Sequence, residues 1–325
     1  TLSLHDALPI CRERISALCR TSRKILETMK IFVTGATGFL GFHFVNVAVN
    51  EGHEVLCLRR TISKSLFEPL VEEKIRWVNL EDSNLKEMVD SFQPDVLLHA
   101  AWGGVRGAAR NSREIQNESL AMSVQMFELY PYKQIIAIGS QAEYGFYHGP
   151  VDENHVLRPS IEYAYAKKLC SEYLKKYCKS KGIEWQWIRI FTVFGEKQTG
   201  GLIKLVIDKC KSGDRVFDTT KGDQQYSYLY AFDFAKALCL VLGARGKSGI
   251  YNLSQPQEVH SNRYILRCIK EKMHADIQFN FGAIPYAGGQ IMLMDGRVEK
   301  FENSFGPIPH TDFDFALNNT IESLK

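Results

Sequence analysis

From Met29 onward the chain alternates short apolar runs with longer stretches whose apolar positions recur at helical spacing. The runs at residues 30–34, 54–58, 75–78, 95–99, 134–139 and 184–190 read as strands. The segments near 39–50, 84–92, 113–129 and 161–181 read as the helices between them. Strands that alternate with helices pair in parallel through right-handed crossovers, so the expected class is α/β, a doubly wound parallel sheet with helices on both faces. After Ile190 the alternation breaks. Residues 195–201 and 219–225 are loop-like, and from Gly246 the chain is irregular and carries Pro256, Pro285, Pro307 and Pro309. The expected division is a sheet domain over 29–190 and a smaller C-terminal lobe over 191–325. Within that lobe, 231–244, with a helix near 232–243, returns to pack on the sheet. No internal repeat or low-complexity segment interrupts this pattern.

Composition narrows the class without changing it. The 325 residues are 45% hydrophobic and 24% charged, a globular composition with room for one large unit and an appended lobe. With 40 basic against 37 acidic residues the net charge is +3, and nothing in that balance points to nucleic acid or a membrane surface. Eight cysteines are scattered with no C-x-x-C pair and no metal-ligand spacing; Cys57, Cys170, Cys178 and Cys239 lie in apolar positions as reduced thiols would. A reducing, cytoplasmic compartment is expected. No run of about 18 apolar residues occurs, so no spanning helix is expected. Residues 1–28 hold charges and lack the apolar centre of a signal peptide. Their opening TLSLHDALPI resembles translated sequencing-adapter read-through. Met29 is therefore expected to be the native start, and 1–28 a non-native or disordered extension.

The first chemical signal is Gly35-Ala-Thr37-Gly38-Phe39-Leu40-Gly41, between a strand and a helix. Gly35 permits a tight turn, Gly38 lets the backbone approach a pyrophosphate, and Gly41 lets helix and strand pack closely. The pyrophosphate would meet free N–H groups at the helix N-terminus. The second strand ends at Arg59-Arg60, where an acidic residue would accept from the ribose 2′-OH of NAD. Two guanidinium groups instead suit a 2′-phosphate, so NADP(H) is expected in preference to NAD(H). The competing view makes both arginines surface charges.

Tyr163-Ala-Tyr-Ala-Lys167 places a tyrosine and a lysine on one helix face, one turn apart. A free tyrosine, with pKa about 10, is a poor base at neutral pH. A neighbouring ammonium stabilises its phenolate and lets it exchange a proton with a hydroxyl or ketone. Ser140 follows the strand at 134–139, at the carboxyl edge where such sheets bind ligands, and can hydrogen-bond the reacting oxygen.

Residues 30–245 resemble the extended short-chain dehydrogenase/reductases, the family of nucleotide-sugar epimerases, dehydratases and ketoreductases built on a Rossmann sheet. GATGFLG, His99-Ala100-Ala101, Asn117, SQAEYG, YAYAK, RIFTVFG ending at Gly195, and YLYAFD ending at Asp233 occur in family order and spacing. The resemblance implies Ser140, Tyr163 and Lys167 as the catalytic set. It implies cofactor contacts from Thr37, Phe39, Leu40, Leu80, Ala100 and Ala101, and a homodimer formed through the helices that carry Met122, Met126, Leu169, Tyr173 and Leu174.

Departures from the family pattern refine the expected activity. Where the dehydratase branch carries an Asp-Glu pair, this chain has Gln141 and Ala142, so dehydration is not expected. Tyr226 and Thr192 replace an arginine and an asparagine associated with substrate binding, and Lys204, Lys221, Arg263 and Arg297 are candidate replacements. Trp102, Glu143 and Tyr144 are candidate sugar contacts, each with a packing or loop role as the plainer reading. His99 is read as satisfied beneath the cofactor, and Trp185 and Trp187 as packing residues. The expected function is NADPH-dependent reduction of a 4-keto group, or a neighbouring one, on a deoxy-sugar nucleotide. A nucleotide-sugar 4-epimerase with retained cofactor is the alternative within the class, and a non-catalytic nucleotide sensor the alternative outside it.

Overall fold

The computed structural model describes residues 27–255 and 258–324. The expectations for residues 1–26, including Cys11 and Cys19, lie outside the described residues. The first half alternates as the pattern predicts: β1 (Lys30–Thr34), α1 (Phe39–Asn50), β2 (Glu54–Arg59), α2 (Pro69–Glu72), β3 (Ile75–Asn79), α3 (Leu85–Phe92), β4 (Val96–His99). Then come α4 (Arg113–Glu128), β5 (Gln134–Ser140), α5 (Glu162–Lys181) and β6 (Glu184–Ile190), with short 3-10 turns at Gly107–Asn111 and Gln141–Tyr144.

The second half is richer in short strands than the sequence suggests. It contains β7 (Thr192–Phe194), α6 (Leu202–Lys211), β8 (Val216–Thr219), β9 (Gln225–Tyr230), α7 (Ala231–Val241), β10 (Gly249–Leu253) and β11 (Val259–Ser261). It ends with α8 (Asn262–Met273), β12 (Gln278–Phe281), β13 (Leu293–Met294), α9 (Glu299–Phe305) and α10 (Phe313–Leu324).

Seven strands form the main sheet in the order β10-β6-β5-β4-β1-β2-β3, all parallel. The order reverses between β1 and β4, which opens a crevice at their carboxyl ends. Successive β1 residues serve opposite faces. Ile31 and Val33 join α1 and α7 in one core, while Phe32 joins α3, α4 and α5 in the other. With both faces covered, the strands can be apolar throughout, and β5 is buried along its whole length. The stretch expected to be irregular from Gly246 instead supplies β10, which pairs with β6 from Gly249 to Leu253.

The remaining strands build a smaller unit. β11, β9 and β13 line up with β7 against β9, and β12 pairs with β8. Phe194, Tyr228, Ile265, Phe313 and Leu317 form its core with α6, α8 and α10. On the far face of the main sheet, Met126 and Leu174 are fully buried against it, whereas Tyr165 and Leu169 of α5 are 51% and 54% exposed. Among the described residues no helix is long and apolar enough to cross a membrane.

Candidate active site

The turn after β1 is shaped for close backbone approach. Gly35 sits at φ +78°, and a Cβ there would fall 2.6 Å from Ala101 N. A Cβ on Gly41 would fall 2.2 Å from Gly35 O, so α1 can lie this near the turn only without a side chain. Gly38 is the N-cap of α1 and offers no side-chain cap, and the first turn contains no acid. The leading N–H groups and the positive end of the helix therefore face the crevice, a fit for a dinucleotide pyrophosphate. Thr34 and His99 brace this floor. Thr34 Oγ1 lies 2.8 Å from His99 Nδ1, and His99 Nε2 lies 2.8 Å from Ser123 Oγ. Ser123 donates its own proton to Ser119 O, so Nε2 carries the ring proton. Burial pushes the His99 pKa down to about 3, which keeps the ring neutral. His99 is satisfied, as expected.

At the end of β2, Arg59 Nε donates to Asn79 Oδ1 at 3.1 Å and its guanidinium lies over the Trp77 ring. Arg60 is exposed. Leu80 follows β3, its N–H bonded to Arg59 O. The crevice wall thus offers one arginine already oriented and one open to solvent.

Across the crevice, α5 presents Tyr163 and Lys167 on its buried face. The Tyr163 hydroxyl hydrogen-bonds Ser140; burial raises its pKa, while that bond and the nearby Arg110 charge pull the other way. Lys167 does not turn to Tyr163. Its Nζ donates to Ile138 O at 2.6 Å and stands 3.8 Å from the Trp102 ring centroid. Burial lowers the ammonium pKa to about 8. The Trp102 indole meets Tyr163 edge to face at 6.2 Å and donates to Gln116 Oε1 at 2.8 Å. Trp102, expected as a sugar contact or a loop residue, is a wall between the lysine and the tyrosine ring.

Several expected substrate contacts are corrected by this geometry. Glu143 is fully buried and closed to any ligand. It accepts from Ser140 N at 2.8 Å, from Trp187 Nε1 at 2.9 Å and from Arg189 Nε at 2.8 Å. Its work is to hold Ser140 in place. Tyr144 is also fully buried, bonded to Asn252 Oδ1 at 2.6 Å and packed against Phe191. Lys204 is engaged by Asp208 one turn along α6. Arg263 lies over Phe281 at 4.1 Å and donates to Lys221 O at 2.5 Å, so it is occupied within the small unit. Tyr226 bonds Gln290 and Ile291 O. Gln141 and Thr192 are half-buried, near Tyr147 and Met294 respectively. Among the described residues no group of three or more His, Cys, Asp or Glu is placed to hold a metal.

Sequence reasoning missed Arg110. It lies in the 3-10 turn after β4, with its guanidinium 4.9 Å from the Tyr163 ring centroid. The available signal was a basic residue in the loop leaving a central strand's carboxyl edge. Arg106, in the same loop, instead bonds Thr199.

The cradle, the parallel sheet and the Ser140–Tyr163–Lys167 face define a nucleotide-dependent enzyme class, and residues 31–254 match the model of the NAD dependent epimerase/dehydratase family, to which the chain belongs. It is 29% identical over 246 residues to a putative UDP-glucose 4-epimerase of Methanocaldococcus jannaschii, covering 71% of this chain and 79% of that protein. It is 26% identical to the CDP-abequose synthase of Salmonella muenchen, covering 81% of this chain and 87% of that one. The fold matches the UDP-N-acetylglucosamine 4-epimerase of Methanobrevibacter ruminantium M1, solved with UDP-N-acetylmuramic acid. That match has a TM-score of 0.81 at 22% identity and covers 92% and 98% of the two chains.

Proposed function

We propose that this protein reduces a 4-keto group on a nucleotide-activated sugar with NADPH. The observation that carries the reading is the Ser140–Tyr163 hydrogen bond on the crevice wall facing the glycine cradle. A bound nicotinamide supplies the hydride. Tyr163 gives its phenolic proton to the substrate oxygen, and Ser140, fixed by Glu143, holds that oxygen in line. Lys167 turns from Ile138 O to hold the cofactor ribose and supports the phenolate by its charge. Arg59 and Arg60 receive the 2′-phosphate. Incubation with a nucleotide 4-keto sugar should oxidise NADPH stoichiometrically, followed at 340 nm; no oxidation with any such sugar overturns the reading.

The similarity to a putative 4-epimerase favours a second reading, interconversion of C4 stereoisomers. Protein purified with NAD retained, which exchanges the two sugars without net cofactor turnover, would decide for it. Cofactor binding with neither activity would instead leave a non-catalytic sensor. The exposed Tyr165 and Leu169 on α5 support a homodimer, and a monomer in light scattering at micromolar concentration would exclude it.

A further inference from the structure

Of the cations around the reaction centre, Arg110 is the one with no hydrogen-bond acceptor among the described residues. Arg189 is held by Glu143, and Arg113 pairs with Glu162 at 3.1 Å. Lys167 donates to Ile138 O. Arg110 has no hydrogen bond or ion pair among the described residues, and its Nε is buried without a partner. Its guanidinium lies over the face of Tyr163, 4.9 Å from the ring centroid.

The turn that carries it is built rather than loose. Gln116, 1% exposed, spends its whole amide there. Its Nε2 donates to Ala109 O at 2.9 Å and Gly104 O at 3.1 Å, while its Oε1 accepts from Trp102. One buried side chain of α4 thus sets the Trp102 wall and the backbone next to Arg110 together. A buried guanidinium donor without an acceptor is costly, and such groups are normally met by protein, water or ligand. The acids near Tyr163 are already used: Glu143 is sealed with Arg189, and Glu162 is engaged by Arg113. The half-buried guanidinium keeps its outer Nη groups accessible and unbonded among the described residues, and these can take an acceptor that a ligand brings in.

Its position limits what it can be. The guanidinium overlies the ring whose hydroxyl exchanges the proton, so its partner sits next to the reacting carbon. On a sugar that reacts at C4, the diphosphate at C1 lies across the pyranose ring, whereas a carboxylate on C5 is adjacent. We propose that Arg110 receives a carboxylate carried on the carbon beside the reacting one, so that the substrate class is a nucleotide-linked uronic acid or its keto form. A planar fork of donors matches a carboxylate in two-point contact. This rests on the reading of Tyr163 as the proton donor, and it puts a charged C6 where a deoxy-sugar has a methyl.

The test is binding, with probes that carry no nucleobase: α-D-glucuronic acid 1-phosphate and α-D-glucose 1-phosphate, titrated into NADP+-saturated protein and followed by ligand-observed NMR. The uronic acid should bind at least about tenfold more tightly, as a charge-assisted pair gives. Arg110→Gln should erase that difference and leave the affinities for glucose 1-phosphate and NADP+ unchanged, and Arg110→Lys should retain part of it. Equal binding of the two probes to the wild type, binding of neither, or an Arg110→Gln protein that keeps the preference overturns the proposal. Equal weakening of both probes by Arg110→Gln assigns the guanidinium to the phosphate and also overturns the uronic acid. A weakened NADP+ affinity assigns it to the cofactor, with the same consequence. Because nothing here turns over, a failed keto reduction leaves this result standing, and a lost preference leaves keto reduction standing.

Discussion

Two arginines that each lie over a tyrosine ring meet opposite fates. Arg189, 1% exposed, is clamped by Glu143 and lies 4.7 Å from the Tyr144 ring centroid. Arg110 overlies another tyrosine, Tyr163, at nearly the same distance and pairs with no carboxylate among the described residues. The sealed pair belongs to the scaffold, because removing either charge strands the other in a dry interior. Arg189 also keeps a buried Nη1 without a partner, so what sets the open one apart is its unpaired charge, which is why we propose it for the site. A single turn separates the two environments: Ser140 faces the crevice and Glu143, three residues later, faces the core.

The largest expected effect breaks or confirms the open side. Tyr163→Phe removes only the hydroxyl, and turnover should fall by about 10²–10⁴-fold while NADPH affinity stays put. Tyr165, 51% exposed, is the internal control, and Tyr165→Phe should keep full activity. A Tyr163→Phe enzyme with wild-type kcat would move the reaction centre elsewhere. The sealed side should answer in stability instead. Glu143→Ala leaves Arg189 buried without its carboxylate and should cost about 3–5 kcal/mol in urea unfolding. Arg110→Gln should change stability by no more than about 0.5 kcal/mol. Similar losses in the two variants would erase the distinction between scaffold and site.

The sheet was legible because its strands are sandwiched. Runs such as Ile31–Phe32–Val33 bury residues on both faces, so they are apolar without interruption and stand out between helical repeats. The small unit hid because β7, β11 and β13 span three, three and two residues, too few for any periodicity to register. β10 hid for another reason: it opens on Gly249 behind polar Lys247 and Ser248, and its place beside β6 is set by tertiary pairing. Within the site, Tyr163 and Lys167 follow from helical spacing. Glu143 misled because it shares a short motif with Ser140, and sequence does not show which side of a turn each residue takes. Arg110 gave only the weak signal of a basic residue in a loop leaving a central strand, because a 3-10 turn has no periodic pattern to read.

His99 offers a smaller test of how rigid the floor beneath the open site is. Its pKa is held near 3 in the fold against about 6.5 in the unfolded chain. The unfolded chain therefore takes the proton first. The stabilisation is complete above pH 6.5 and is lost progressively as the pH falls towards 3. Between pH 6.5 and 5 this group alone should remove about 2 kcal/mol, at about 1.4 kcal/mol per unit. His99→Asn should unfold with a correspondingly shallower acid dependence than the wild type. If the two acid slopes coincide, the ring is protonated in the fold and the floor is softer than its hydrogen bonds imply.

The smallest effect concerns the other two crevice arginines, which divide as Arg189 and Arg110 do. Arg59 is already bonded to Asn79 and stacked on Trp77, so it is preorganised but partly spent. Arg60 is exposed, so any bond it makes to a 2′-phosphate is screened by water. Together they should favour NADPH over NADH by about 1–2 kcal/mol, the low end for charge-assisted contacts. Arg59→Ala should remove more of that preference than Arg60→Ala, since an oriented fork loses less freedom on binding than a mobile one. The Arg60→Ala loss should also shrink at high salt, where an exposed contact is already weak. Dissociation constants for both cofactors, measured on the two single variants at low and high salt, separate the contributions. Equal affinity for NADPH and NADH in the wild type would make both arginines surface charges and shift the balance towards an epimerase that retains NAD.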